Sequence, residues 1–261
     1  MSIMPIKLQK PKALIFDFDG TLVDSYPDIL TSFRQAFAQA GLSNISFPDK
    51  KIFMSFTLRE TVLKILHAQS TLQIHNNNSI DSKVNSKFNS KVNSNFNSTV
   101  ESIVSAFKDI YDASPLSNTL LFDGALDLLK FSKKNDINTF IATNKRLVAV
   151  KRIIQQLGIE DYFMEIIAAD SMQIASTAPP HPFLSKKEMI CTLINKFSLP
   201  IDNTWMVGDS ELDIRGATEA GIPSVAILDG YGFAESILKE QPTLAVNNIM
   251  EIKNLLRTRS K

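Results

Sequence analysis

The stretch that most limits the possible folds is ALIFDFDGTLVDS, residues 13–25, where an apolar run of β type leads directly into two carboxylates and a glycine. Such a run is the pattern of a parallel strand buried on both faces. Asp17 and Asp19 stand two apart, so they share a face of an extended chain, and Gly20 lets the backbone turn sharply as it leaves the sheet. Both acids are therefore expected at the carboxyl edge of the sheet, where open α/β folds bind ligands at the point of strand-order reversal. Carboxylates this close repel unless a cation or a shared proton intervenes, which suggests a metal site with one acid left to move protons. An acidic turn at a strand end accounts for the same triplet, and the spacing alone leaves both readings open.

Beyond residue 116 the pattern alternates strand and helix. Strands are expected at 137–142, 163–168, 204–207 and 224–228, with a short edge strand at 244–246, and helical periodicity fills the segments between. Between residues 25 and 116 the periodic patterns are helical. Ser25 and Asp28 are spaced as a capping box ahead of Ile29, Phe33, Ala36, Phe37 and Ala40, and Gly41 ends the run. A second helix is expected over 56–68. The predicted architecture is thus α/β, a doubly wound (Rossmann-like) parallel sheet formed by residues 1–23 and 117–261, with an inserted α-helical cap at 24–116.

Inside the insertion, residues 75–100 are low in complexity, with SKVN, SKFN, SKVN and SNFN following one another. An apolar residue at every fourth position drifts around a 3.6-residue helix, and Ser and Asn compete with helical hydrogen bonds. A loop or a helix of marginal stability is expected there.

The 261 residues carry a formal net charge of +1, which gives no general attraction to nucleic acid or an anionic membrane. Cys191 is the single cysteine, so neither an internal disulfide nor a cysteine zinc cluster can form. No run approaches the roughly 20 apolar residues a spanning helix needs, and residues 1–11 lack a continuous apolar core. A cytoplasmic protein without membrane or nucleic-acid partners is expected, as a monomer or weak homodimer.

Residues 17–25, DFDGTLVDS, resemble the first motif of the haloacid dehalogenase superfamily of aspartate-nucleophile phosphatases, in particular its phosphoglycolate phosphatase-like branch. Thr143-Asn144-Lys145, after the strand at 137–142, resembles the second motif. The run Trp205-Met206-Val207-Gly208-Asp209-Ser210-Glu211-Leu212-Asp213 resembles the fourth, and Gly230-Tyr231-Gly232 also fits. The third motif departs. Where the branch often carries Lys-Pro, this chain has Thr177-Ala178, and the nearest substitute is Lys186 at a helix start, with Lys187 beside it.

The resemblance implies Asp17 as nucleophile and Asp19 as general acid and base. It implies Mg²⁺ held by Asp17, the Asp19 main-chain carbonyl and Asp209, with Asp213 behind them. Thr143, Asn144 and Lys186 would bind the phosphoryl group, and Lys186 would also offset the converging negative charge. Ser210 and Asp213 equally fit an ordinary capping box. The expected activity is hydrolysis of a small phosphorylated metabolite, 2-phosphoglycolate first. Nucleotidase, pyrophosphatase and sugar-phosphate phosphatase or mutase activity, and a non-catalytic interaction protein, are the other readings. Arg59, in the segment 54–59, is either an anion contact or a solvated helix residue.

Overall fold

The computed structural model describes residues 10–76, 85–171 and 183–258. It divides into two compact units, one made of Met1–Ser25 with Thr119–Lys261 and the other of Tyr26–Asn118. The first unit holds a six-stranded parallel sheet of β1 (Ala13–Phe16), β4 (Asn138–Thr143), β5 (Glu165–Ala168), β6 (Thr204–Gly208), β7 (Ser224–Ile227) and β8 (Leu244–Val246). The order is β5-β4-β1-β6-β7-β8. Phe16 lies level with Ile141 of β4 on one side and Val207 of β6 on the other. Strand order therefore reverses beside β1, and the ends of β1, β4 and β6 lie at one edge. Short β2 (Val23–Asp24) pairs antiparallel with β3 (Leu120–Leu121) in a separate two-stranded ribbon.

The second unit is helical, with α1 (Tyr26–Gln39), α2 (Lys50–Met54), α3 (Leu58–Asn76) and α4 (Asn85–Ala113). Phe33, Phe37, Phe53, Val62, Ile65, Val100 and Ile103 form its core. The Phe33 ring lies edge-on to Phe53, centroids 4.8 Å apart, and 4.4 Å from that of Phe107. Where the repetitive segment is described, from residue 85, it is helical and continuous with the anchored part of α4. From Phe96 onward the apolar residues Val100, Ile103, Val104 and Phe107 return to helical spacing and pack, so tertiary burial outweighs weak local propensity. Residues 77–84 lie outside the described residues. Arg59 is paired with Glu101 at 2.9 Å on an exposed surface.

Asp28 accepts hydrogen bonds from Asn118 N (3.0 Å) and Nδ2 (3.0 Å), which ties the two ends of the helical unit together. Ser25 gives its N–H to the Tyr231 hydroxyl at 2.9 Å and its own hydroxyl to Asp19.

Among the described residues, six helices complete the sheet unit: α5 (Ala125–Lys134), α6 (Leu147–Gln156), α7 (Lys186–Phe197), α8 (Glu211–Ala220), α9 (Ala234–Lys239) and α10 (Ile249–Thr258). Ala13, Ile15, Phe140, Ala142 and Met206 pack with Met189, Ile190 and Leu193 of α7 and Ala217 of α8. The intervening Leu14, Phe16, Ile141, Trp205 and Val207 are equally buried, so by strand alternation they fill the opposite face. Each fully buried side chain of this size contributes roughly 1.5–3 kcal/mol.

Candidate active site

Asp17 follows the last residue of β1, and its backbone N–H donates to Val207 O at 2.9 Å, which extends the ladder one residue past the strand. The carboxylate is thereby held between the ends of β1 and β6. Gly20 then takes φ +86°, and a Cβ there would fall 2.2 Å from Oδ2 of Asp209. Only glycine permits this turn and this approach.

Asp209 follows β6 and is buried. Its Oδ1 accepts from Thr21 Oγ1 at 2.6 Å and its Oδ2 from Tyr231 N at 2.7 Å. Asp213 lies on the first turn of α8, where its Oδ2 accepts from Ser210 N (3.0 Å) and Ser210 Oγ (2.6 Å). The capping box thus exists, but it uses only one oxygen. The other, Oδ1, is 2.8 Å from Lys186 Nζ. Asp213 is both a cap and a partner of the site.

Lys186 is placed by its own helix. Ser185 and Glu188 form a capping box at the start of α7, with Ser185 N donating to Glu188 Oε2 at 2.7 Å. That fixes Lys186, Met189, Ile190 and Leu193 on the buried face, whereas Lys187 is exposed. A Cβ on Gly216 of α8 would lie 2.8 Å from the Lys186 stem, so the missing side chain is what lets the lysine pass. Its Nζ reaches Asp17 Oδ1 at 2.9 Å, Ala142 O at 2.8 Å and Asp213. Thr177 and Ala178, at the position of the third motif, lie outside the described residues.

Asp17, Asp209 and Asp213 bring carboxylate oxygens within 4.8 Å of one another. With Lys186 the only ammonium bonded to them among the described residues, two net negative charges remain when all are ionised. The electrostatics follow from that excess. Burial, with Asp213 adding to it and Lys186 opposing it, pushes Asp17 up to about 6. Burial together with Asp17 and Asp213 pushes Asp209 up to about 8, against the hydrogen bonds from Thr21 and Tyr231. For Lys186 burial alone would favour the neutral amine, but Asp17 and Asp213 outweigh it and hold the ammonium above its usual value. A buried, oxygen-only donor set with a charge deficit of two suits a hard divalent cation.

Thr143 ends β4 in a buried position, its Oγ1 accepting from Lys145 N at 3.2 Å, and Asn144 is exposed on the turn. Asp19 meets Lys145 Nζ at 2.9 Å through Oδ2 and 3.1 Å through Oδ1. The motifs contain Thr21, Lys145 and Tyr231 with no role evident from the sequence, and Ser25 only as a helix cap. For Lys145 a signal existed: it is a cation just past the strand that neighbours β1. Tyr231 had none, since its hydroxyl reaches Asp24 Oδ1 (2.7 Å) only because of the tertiary fold.

A doubly wound sheet that gathers three carboxylates, a buried lysine and a threonine at its carboxyl edge is the arrangement of an α/β enzyme with its site at the strand ends. Residues 14–227 match the model of the haloacid dehalogenase-like hydrolase family, and the chain belongs to that family. It is 25% identical over 243 residues to a phosphoglycolate phosphatase of Pseudomonas fluorescens, covering 92% of this chain and 77% of that one. A phosphoglycolate phosphatase of Vibrio vulnificus is 24% identical over 248 residues, covering 95% and 97%. In fold it is similar to a haloacid dehalogenase-like family hydrolase from Streptococcus pneumoniae, with a TM-score of 0.68, 24% identity, and coverage of 93% and 97%.

Proposed function

We propose that this hydrolase is a Mg²⁺-dependent phosphatase that cleaves a small phosphomonoester through an aspartyl-phosphate, with 2-phosphoglycolate as first substrate. The observation that carries this reading is the Lys186 ammonium seated between Asp17 and Asp213 in a buried cluster still short of two positive charges. In it, an Asp17 oxygen attacks phosphorus, the ester oxygen departs, and Asp19 gives that oxygen a proton. Asp19 then takes a proton from the water that hydrolyses the aspartyl-phosphate, which returns both acids to their starting forms. Thr143 and Asn144 hold phosphoryl oxygens, and Lys186 keeps the attacking carboxylate ionised beside a phosphate dianion. Asp17, the Asp19 main-chain carbonyl and Asp209 would hold Mg²⁺, whose chemistry there is to neutralise charge and polarise the phosphoryl group. Asp213, already committed to Ser210 and Lys186, orients rather than binds.

The substrate is supported by the names of the relatives and is tested directly. Purified protein with Mg²⁺ is offered phosphorylated metabolites, including 2-phosphoglycolate, nucleoside monophosphates, pyrophosphate and sugar phosphates. Release of phosphate from 2-phosphoglycolate well above the rest is the expected result. Turnover of another phosphomonoester would replace the substrate only, and no release from any would reject the reaction class.

The charge deficit also gives a pH-dependent metal effect. Asp17 and Asp209 both titrate in the folded chain above the ordinary value of 3.8, at about 6 and about 8. Their ionised forms are therefore disfavoured on folding, and their contribution to the metal-free protein worsens as pH rises from about 4 through 8. Mg²⁺ binds the ionised forms, so its stabilisation grows over the same interval. At a hundredfold excess over Kd it contributes about 2.7 kcal/mol. For a chain of this size that is a rise in Tm of roughly 5–10 °C near pH 8.5. Thermal melts with and without Mg²⁺ at about pH 5.5 and 8.5 check this, and a larger rise at the lower pH would contradict it.

A further inference from the structure

Asp19 sits in a different environment from the other acids. It lies past the end of β1, where its carboxylate takes Lys145 Nζ on both oxygens, at 2.9 and 3.1 Å, and the Ser25 hydroxyl on Oδ1. The Lys145 side chain is only 7% exposed, so this contact is not a wandering surface pair. Its backbone is fixed as well, since Lys145 N donates to Thr143 Oγ1, the hydroxyl that closes the turn after β4. Ser25 is pinned from the other direction, its N–H bonded to the Tyr231 hydroxyl, whose own chain N–H holds Asp209. Two independent anchors thus converge on one carboxylate.

We infer that Lys145 and Ser25 are positioning residues that fix the direction of the Asp19 carboxylate for proton transfer to the leaving oxygen, an assignment that rests on the phosphatase chemistry proposed above. An acid that delivers a proton to one particular oxygen works only within hydrogen-bond reach and along one line. A carboxylate gripped on both oxygens by an ammonium and on one by a hydroxyl has lost most of its freedom to rotate. Lys145 does not touch the reacting atoms in this scheme; it acts through Asp19. A lysine that bound the phosphoryl group directly would instead assist every ester equally.

Leaving groups separate the two roles. A nitrophenolate departs without needing a proton, whereas an unsubstituted phenolate leaves slowly unless it is protonated as the bond breaks. The experiment measures kcat/KM of the full chain with Mg²⁺ on p-nitrophenyl phosphate and phenyl phosphate, which differ little in shape, for the native protein, Lys145→Met, Lys145→Arg and Ser25→Ala. General acid catalysis contributes about 10²–10⁴-fold. Lys145→Met is accordingly expected to lose about 100-fold or more on phenyl phosphate and less than about 10-fold on p-nitrophenyl phosphate. Ser25→Ala should show the same asymmetry, smaller, and Lys145→Arg should restore part of the phenyl phosphate rate. Thermal melts identify any variant that fails to fold, and the asymmetry is then read from the others. Equal loss on both esters in folded variants would overturn the assignment and leave the phosphatase reading standing. No turnover of either ester by the native protein would overturn that reading and this one together.

Discussion

Asp17→Asn abolishes turnover, by at least about 10³-fold in kcat, and does not lower the Tm of the metal-free protein. The amide has nearly the shape of the carboxylate but cannot form the aspartyl-phosphate, so what remains is whatever binding and charge stabilisation the rest of the site provides. Stability moves the other way. With its pKa raised from 3.8 to about 6, ionised Asp17 is a net burden on the metal-free fold above pH 6, even beside Lys186. A neutral side chain removes a penalty on the order of 2–3 kcal/mol. Lys186 keeps Asp213 and Ala142 O as partners in the variant. Phosphate release and melts of EDTA-treated protein near pH 8 measure both halves. Substantial activity in Asp17→Asn would reject Asp17 as nucleophile, and a Tm well below the native value would reject the charge accounting.

Lys186→Met damages both stability and activity. The thioether fills much of the volume of the lysine stem beside Gly216 but leaves Asp17, Asp213 and the Ala142 carbonyl without the ammonium they share. Removing one partner of a buried ion pair typically costs about 3–5 kcal/mol. At this chain length that is a Tm lower by roughly 10 °C near pH 8. The sign with pH is fixed by the acids that remain. As pH falls, Asp17 and Asp209 take up protons, the uncompensated charge diminishes, and the deficit against the native protein narrows toward pH 5. Lys187→Met, one residue along on the exposed side of the helix, should change Tm by less than about 1 °C. A deficit in Lys187→Met as large as in Lys186→Met would show that helix propensity, not the buried charge, was being measured.

Several features of the site were legible in the chain because strand periodicity is local. An apolar run that ends in an acid places that acid at a sheet edge wherever the strand goes, which is why Asp17 and Asp209 could be named without coordinates. Lys186 was harder. Ser185-Lys186-Lys187-Glu188 offers two lysines at one helix start, and only the buried face of α7 and the opening over Gly216 distinguish them. Ser25 and Asp28 show what a local spacing leaves out: Asp28 accepts from Asn118, and Ser25 meets Asp19 and Tyr231, partners that only the tertiary fold brings near. The composition of the repeat at 75–100 fits either a loop or a marginal helix, and from residue 85 it is helix: the part of α4 beyond Phe96 is anchored by Phe33, and helix propagates from an anchored end more easily than it nucleates.

By itself the sequence determined the alternation of strand and helix, the parallel sheet, the helical insertion and the positions where acids meet the sheet edge, since each follows from a period or a turn within a few residues. The tertiary structure alone decided which lysine enters the cluster, that Asp213 serves both a helix cap and an ammonium, and that Lys145 and Ser25 close on Asp19. Those contacts join residues as much as 169 positions apart. They depend on which strands lie side by side and how closely helices approach, and no local pattern encodes either.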